Sequence, residues 1–198
     1  LSAGVQVKEA FRASPQIYPF KEVAPDSNRT ITLPLGDIEA GTPSSALAVL
    51  VLPPRRPGRV RLGQADLCYD TPEAKNQRES LDVVVNYTLD RAAIGKANGY
   101  VMNLVDQVSV AKLQMQAEAA MASGNTDKAT RLLGNAIAGT QRLGNSKATQ
   151  VLESLQSEMK KTQSLASGAA KTQLLNAQAT LRKTQMLDPD SVKDALRD

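Results

Sequence analysis

The chain has 198 residues, 41% of them hydrophobic and 22% charged, with a formal net charge of +4, which suits a globular protein of one large or two small domains. It has no histidine and a single cysteine, Cys68. That excludes Ser–His–Asp and Cys–His catalysis and any intramolecular disulfide, and it removes the usual ligands of zinc, haem and iron–sulfur centres.

The composition is uneven along the chain. All six aromatics (Phe11, Tyr18, Phe20, Tyr69, Tyr87, Tyr100) lie in the first hundred residues, and nine of the ten prolines lie at or before Pro72. Residues 1–90 carry a net charge of −1 and residues 91–198 a net of +5. These shifts predict a boundary between Asp90 and Gly99, with an all-β domain over 1–90 and a helical domain over 91–198. The longest apolar run, 46–52, is far shorter than the about 20 residues of a membrane-spanning helix. Cysteine scarcity favours a reducing, cytoplasmic location. The chain starts at Leu1 without an initiator Met or a visible signal peptide, so it is expected to be a piece or a processed product of a longer protein.

In chain order, the first strands are expected at 5–11 and 15–20. Ile31, Leu33 and Leu35 alternate with Thr30, Thr32 and Pro34, the period of a half-buried strand. Residues 46–52 are continuously apolar, as in a central strand covered on both faces, and Pro53-Pro54 stops them. Over 59–70, Val60 and Leu62 set one inward phase while Ala65, Leu67 and Tyr69 set the other, which predicts a β-bulge near Gly63. Cys68 then points away from the core and reads as inert. Leu81, Val83, Val85 and Tyr87 form a last alternation. About six short strands between Pro/Gly turns predict an antiparallel β-sandwich, with its incomplete edge at 5–11 or 15–20, where Pro15 and Pro19 disrupt pairing. Asn28-Arg29-Thr30 and Asn86-Tyr87-Thr88 have the glycosylation spacing, read here as chance.

From Asn98, a predicted N-cap, Val101, Leu104, Val108, Ala111, Met115, Ala119 and Ala122 recur at helical spacing. Ser123-Gly124-Asn125 ends that helix. A second carries Ala129, Leu132, Leu133, Ala136, Ile137 and Thr140 on one side and closes at Gly144. Ser146 is expected to cap a third, with Ala148, Val151, Leu152, Leu155 and Met159. A fourth, with Ala170, Leu174, Ala177 and Leu181, runs to Asp188-Pro189. Short loops between four helices predict an antiparallel bundle. The stripes lack the aromatic residues typical of a membrane-surface helix.

Two resemblances accompany these patterns. Gly124, Ala129, Leu133 and Ala136 stand as in the turn and second helix of a tetratricopeptide repeat. Gln116, Ala117 and Ala120 fall where its large residues belong, and no second copy follows at the spacing of about 34 residues. The reading is a tetratricopeptide-like hairpin.

Over residues 5–187 the chain resembles the region that follows the von Willebrand factor type A domain in bacterial calcium-activated chloride channel-like proteins. The resemblance is carried by Leu33-Pro34-Leu35-Gly36-Asp37-Ile38-Glu39-Ala40-Gly41, Tyr69-Asp70, Leu81-Asp82-Val83-Val84-Val85, Ala119 with Gly124, and the stretch from Ala129 to Leu143-Gly144. In that family the type A domain holds a divalent cation on an Asp-x-Ser-x-Ser motif. This sequence has none; Asp188-Pro189-Asp190-Ser191 is not one. The resemblance therefore implies no metal-site residue here, and no cofactor or catalytic residue is assigned. It implies a companion region that positions the adhesion domain or offers it a second surface.

The expectation is a non-enzymatic protein-interaction scaffold whose partners are proteins, an adjacent type A domain among them, rather than nucleic acid or membrane. The alternative is a nucleic-acid-binding module using Lys112, Lys128, Arg131, Lys160, Lys161, Lys171, Arg182 and Lys183. Those charges are spread around four helices with no aromatic interleaved for base stacking. A carboxylate enzyme could pair Asp66 with Asp70, or Asp82 with Glu79, but these sit at strand ends and turns.

Overall fold

The computed structural model describes residues 1–94, 98–162 and Thr172. The chain is α+β. Five strands come first: β1 (Gln6–Ser14), β2 (Tyr18–Pro19), β3 (Ser45–Val51), β4 (Gly58–Tyr69) and β5 (Gln77–Tyr87). The helices α1 (Arg91–Ile94), α2 (Gly99–Ala122), α3 (Thr126–Arg142) and α4 (Ser146–Thr162) follow. The strands form a three-stranded sheet in the order β2-β1-β3 and a two-stranded antiparallel sheet of β4 and β5. The fourth expected helix lies outside the described residues.

Three strand expectations are corrected. Residues 30–35 form no strand. Ile31, Leu33 and Leu35 are half-buried and Thr32 and Pro34 exposed, so the alternation is real. It reports one-sided burial of extended chain, and Pro34 has no N–H for a ladder. Upstream, Asp26 Oδ1 accepts from the backbone N–H of both Asn28 and Thr30 at 2.8 Å, closing a turn with Arg29 at φ 60°. The second correction concerns the apolar run 46–52, expected to be central. It forms β3 at the end of its sheet, and β1, expected as an edge candidate, lies between β2 and β3. In β1, Ala10, Phe11 and Ala13 are buried. Residues 15–20 do supply the other edge, reduced to the two residues of β2.

The bulge appears where the phase conflict demanded it. Arg61 pairs with Val84 and Gly63 with Val83, so Leu62 is the extra residue, and its side chain is buried. Beyond it comes the third correction: Leu67 and Tyr69, expected to point inward, are exposed.

The chain divides into two compact units that do not follow a single cut. The first holds Leu1–Ala10, Phe20–Pro34 and Ala48–Ala97; the second holds Phe11–Pro19, Leu35–Leu47 and the chain from Asn98 onward. In the first unit, Val5, Ala10, Phe20 and Leu62 are buried, and Ser2 N–H donates to Leu62 O at 2.7 Å. In the second, Leu104 and Val108 of α2 pack on Phe11 and Ala13. Further along α2, Val110, Ala117 and Ala120 join Leu133, Ala136, Leu152 and Leu155 of α3 and α4. One helix thus serves two partners with two faces. A single stripe through Met115, Ala119 and Ala122 therefore mispredicts its second half, where Ala119 and Ala122 are exposed.

The helix ends follow local chemistry. Asn98 Oδ1 accepts from Val101 N–H at 3.1 Å, as expected of an N-cap. The two turns between helices are copies of one design. Gly124 and Gly144 take φ 75° and 67°, the left-handed conformation that glycine adopts without strain. The residues after them, Asn125 and Asn145, donate backward to Ala120 O and Thr140 O. Their side chains then accept from Lys128 and Ala148 N–H, both at 3.1 Å. Asn145, not Ser146, is therefore the cap of α4.

Candidate interaction surface

The β4–β5 register fixes which side chains share a face, because side chains alternate along a strand. Gln64, Asp66 and Cys68 stand opposite Asp82, Ser80 and Arg78 on one face. Ala65, Leu67 and Tyr69 stand opposite Leu81, Glu79 and Gln77 on the other. The second face carries open apolar side chains beside Glu79 and Gln77: Leu81 is 71% exposed and Leu67 42%. A two-stranded ribbon has little stability by itself, so exposed side chains of this kind on it mark a surface that gains from being covered.

The first face is an electrostatic lattice centred on Asp66. Its Oδ1 accepts from Ser80 Oγ at 2.5 Å and from Gln64 Nε2 at 2.8 Å, and its Oδ2 meets Arg78 Nη2 at 2.9 Å. Those hydrogen bonds, Ser80's first, lower its pKa from 3.8 to about 2. A glycosidase general acid needs the reverse shift. Asp82 is paired with Arg61 at 2.6 Å. Glu79 lies on the other face, where it accepts from Tyr69 Oη at 3.1 Å and raises that phenol's pKa. The structure thus splits the Asp82/Glu79 pair between two faces. Asp70 is occupied in the following turn by Asn76 N–H at 2.8 Å and Lys75 at 3.4 Å. Cys68 is exposed and free. Among the described residues no cluster of three or more His, Cys, Asp or Glu could hold a metal ion.

In the second unit, Arg12 is a hub that the sequence reading missed. From β1 its guanidinium donates to Leu35 O, to Tyr18 Oη and Ser44 Oγ at 3.3 Å each, and to Ser14 O at 3.2 Å. One side chain so fastens both ends of the 35–44 loop. The signal available beforehand was an arginine between the buried residues Ala10, Phe11 and Ala13 in the second half of β1.

Of the basic residues proposed for nucleic acid, Lys112 stands 5.9 Å from the centroid of the Phe11 ring, a cation–π position. Lys128, Arg131 and Lys160 are exposed on α3 and α4. Lys171, Arg182 and Lys183 lie outside the described residues, as does the side chain of Lys161. No helix among the described residues is long and apolar enough to cross a membrane.

Comparison with known proteins gives two likenesses. Residues 99–190, which contain α2, α3 and α4, match the family described as Sll0103-like, C-terminal alpha-helical domain. The fold is similar to a solved structure described as von Willebrand factor type A from Catenulispora acidiphila, with a TM-score of 0.51 and 18% sequence identity. The likeness covers 76% of this chain and 36% of that one, so the chain corresponds to about a third of the length of that protein. No curated protein matches.

Proposed function

We propose that this chain is a non-catalytic protein-interaction region, the companion part of a von Willebrand factor type A domain protein. The observation that carries the proposal is the exposed apolar strand surface of the first unit: Leu67, Tyr69 and Leu81 on the ribbon, and Val49, Val51 and Leu52 at the end of β3. The fold likeness to a type A protein supports it, and so does the share of that protein which the likeness leaves uncovered. The sequence has no Asp-x-Ser-x-Ser motif, which argues for the companion role over that of the adhesion domain. The β-sandwich and the tetratricopeptide-like hairpin belong to the same proposal, as the forms these sheets and helices take in the longer protein. Calcium-activated chloride channel-like proteins are the setting it assigns. Calorimetric titration of this chain with the type A domain that the proposal places beside it is the test. Saturable binding in the micromolar range or tighter, about −8 kcal/mol or more, is expected. Absence of heat and of co-sedimentation would overturn the proposal.

A further inference from the structure

We infer that the outer edge of β3, over residues 48–52, is a docking site for an extended apolar strand that carries an acidic residue at one end. The inference rests on the interaction reading above and names the chemistry of the partner. The two ends of the three-stranded sheet are built differently. At one end, β2 is two residues long and contains Pro19, with Pro15 just before it. Shortness and proline are the devices that protect an edge from foreign strands. At the other end, β3 is seven residues, Ser-Ala-Leu-Ala-Val-Leu-Val, with no charge, proline or glycine. Among the described residues no strand pairs with its outer side, and a bare edge of this kind offers N–H and C=O groups to an incoming chain.

Its composition is that of a strand meant to be covered, yet Val51 is 48% exposed and Val49 37%. An added strand would supply both the missing ladder and part of the missing cover. Charge then selects among apolar strands. Pro53-Pro54 ends the ladder, and Arg55 and Arg56 follow immediately, both exposed. Arg55 is held in place by its bond to Ala3 O at 2.9 Å. A strand lying along 48–52 and running past Leu52 brings its end residue to this positive pair, so an acidic end is attracted and a basic one repelled.

The test uses two labelled peptides against the full chain, acetyl-Asp-Asp-Val-Thr-Val-Ile-Val-amide and the same residues in reverse order, read by fluorescence anisotropy. One of them is expected to bind with a Kd on the order of 10 μM. Methylating one alternate set of its amide nitrogens should abolish binding while the other set is tolerated, because only every second N–H of a strand faces its neighbour. Arg56→Glu should weaken binding about threefold to fivefold, and replacing the peptide's Asp pair with Lys should restore it. No saturation by about 1 mM, equal tolerance of both methylated sets, or indifference to the charge swap would each overturn the inference. So would a concentration-dependent dimer that the peptide cannot dissociate, since a second copy would then hold the edge. If the type A domain binds and saturating peptide does not compete, the inference fails and the broader reading stands; if the peptide binds and the type A domain does not, the broader reading fails instead.

Discussion

Gln114 is fully buried in α2, and among the described residues neither its amide nitrogen nor its amide oxygen has a hydrogen-bond partner. A buried polar group left unpaired costs about 1–3 kcal/mol of desolvation. Gln114→Met keeps the length of the side chain and the helix propensity, which are near-equal for the two residues, and removes that cost. The variant is expected to be more stable by about 1–3 kcal/mol, with a rise in Tm of about 2–4 °C per kcal/mol for a chain of this size. Gln107 is the internal control. It is buried in the same helix, but its Nε2 donates to Asn103 Oδ1, so Gln107→Met should lose about 0.5–1.5 kcal/mol. Urea unfolding with unchanged slope reads both signs. A destabilised Gln114→Met variant would refute the reasoning, because it would show that the amide is satisfied in solution.

Three other outcomes are expected. A β-carbon added at Gly139 runs into Val110 Cγ2. Gly139→Ala should therefore destabilise by about 1–3 kcal/mol of overpacking despite better helix propensity, and Val110→Ala should recover part of the loss in a double-mutant cycle read by thermal unfolding. Arg12→Met should leave the helices intact by circular dichroism while amides in the 35–44 loop exchange faster, since four acceptors lose their common donor. Asp66 has a folded pKa below its unfolded one, so the stability it contributes is present above about pH 4 and is lost as pH falls towards its folded value of about 2. Asp66→Asn should flatten unfolding curves in that window and leave the pH dependence above pH 5 unchanged; an altered slope near neutrality would count against this assignment.

What was legible in the sequence was whatever local chemistry determines. The bulge at Leu62 and Gly63 follows from a conflict of phase within twelve residues, and the left-handed Gly124 and Gly144 follow from the end of a helical pattern. Nothing about them depends on distant chain. Positions decided by neighbours were read wrongly. The apolar run 46–52 suits a central strand, but sheet order is set by partners remote in sequence, and here it stands at the end. Leu67, Tyr69 and Leu81 have inward periodicity, and the described chain places no layer on them. The lattice around Asp66 was not legible, because its partners Ser80 and Arg78 come from the opposite strand. They needed the register, and the bulge shifts that register by one. Arg12 was invisible because two of its acceptors, Leu35 O and Ser44 Oγ, are more than twenty residues away.

The paired turns at Gly124-Asn125 and Gly144-Asn145 have a consequence for how this part of the molecule can change. Each turn stops one helix and starts the next using only its own glycine and asparagine and the backbone of the preceding turn of helix. Its instructions are complete within a few residues, and the two copies stand 20 residues apart. A chain that gains or loses one such 20-residue period keeps every stop and start signal intact, whereas an insertion of two or three residues inside a helix rotates its buried face out of the core. The helical region is therefore organised to vary by whole modules, in the number of its helices rather than in their length.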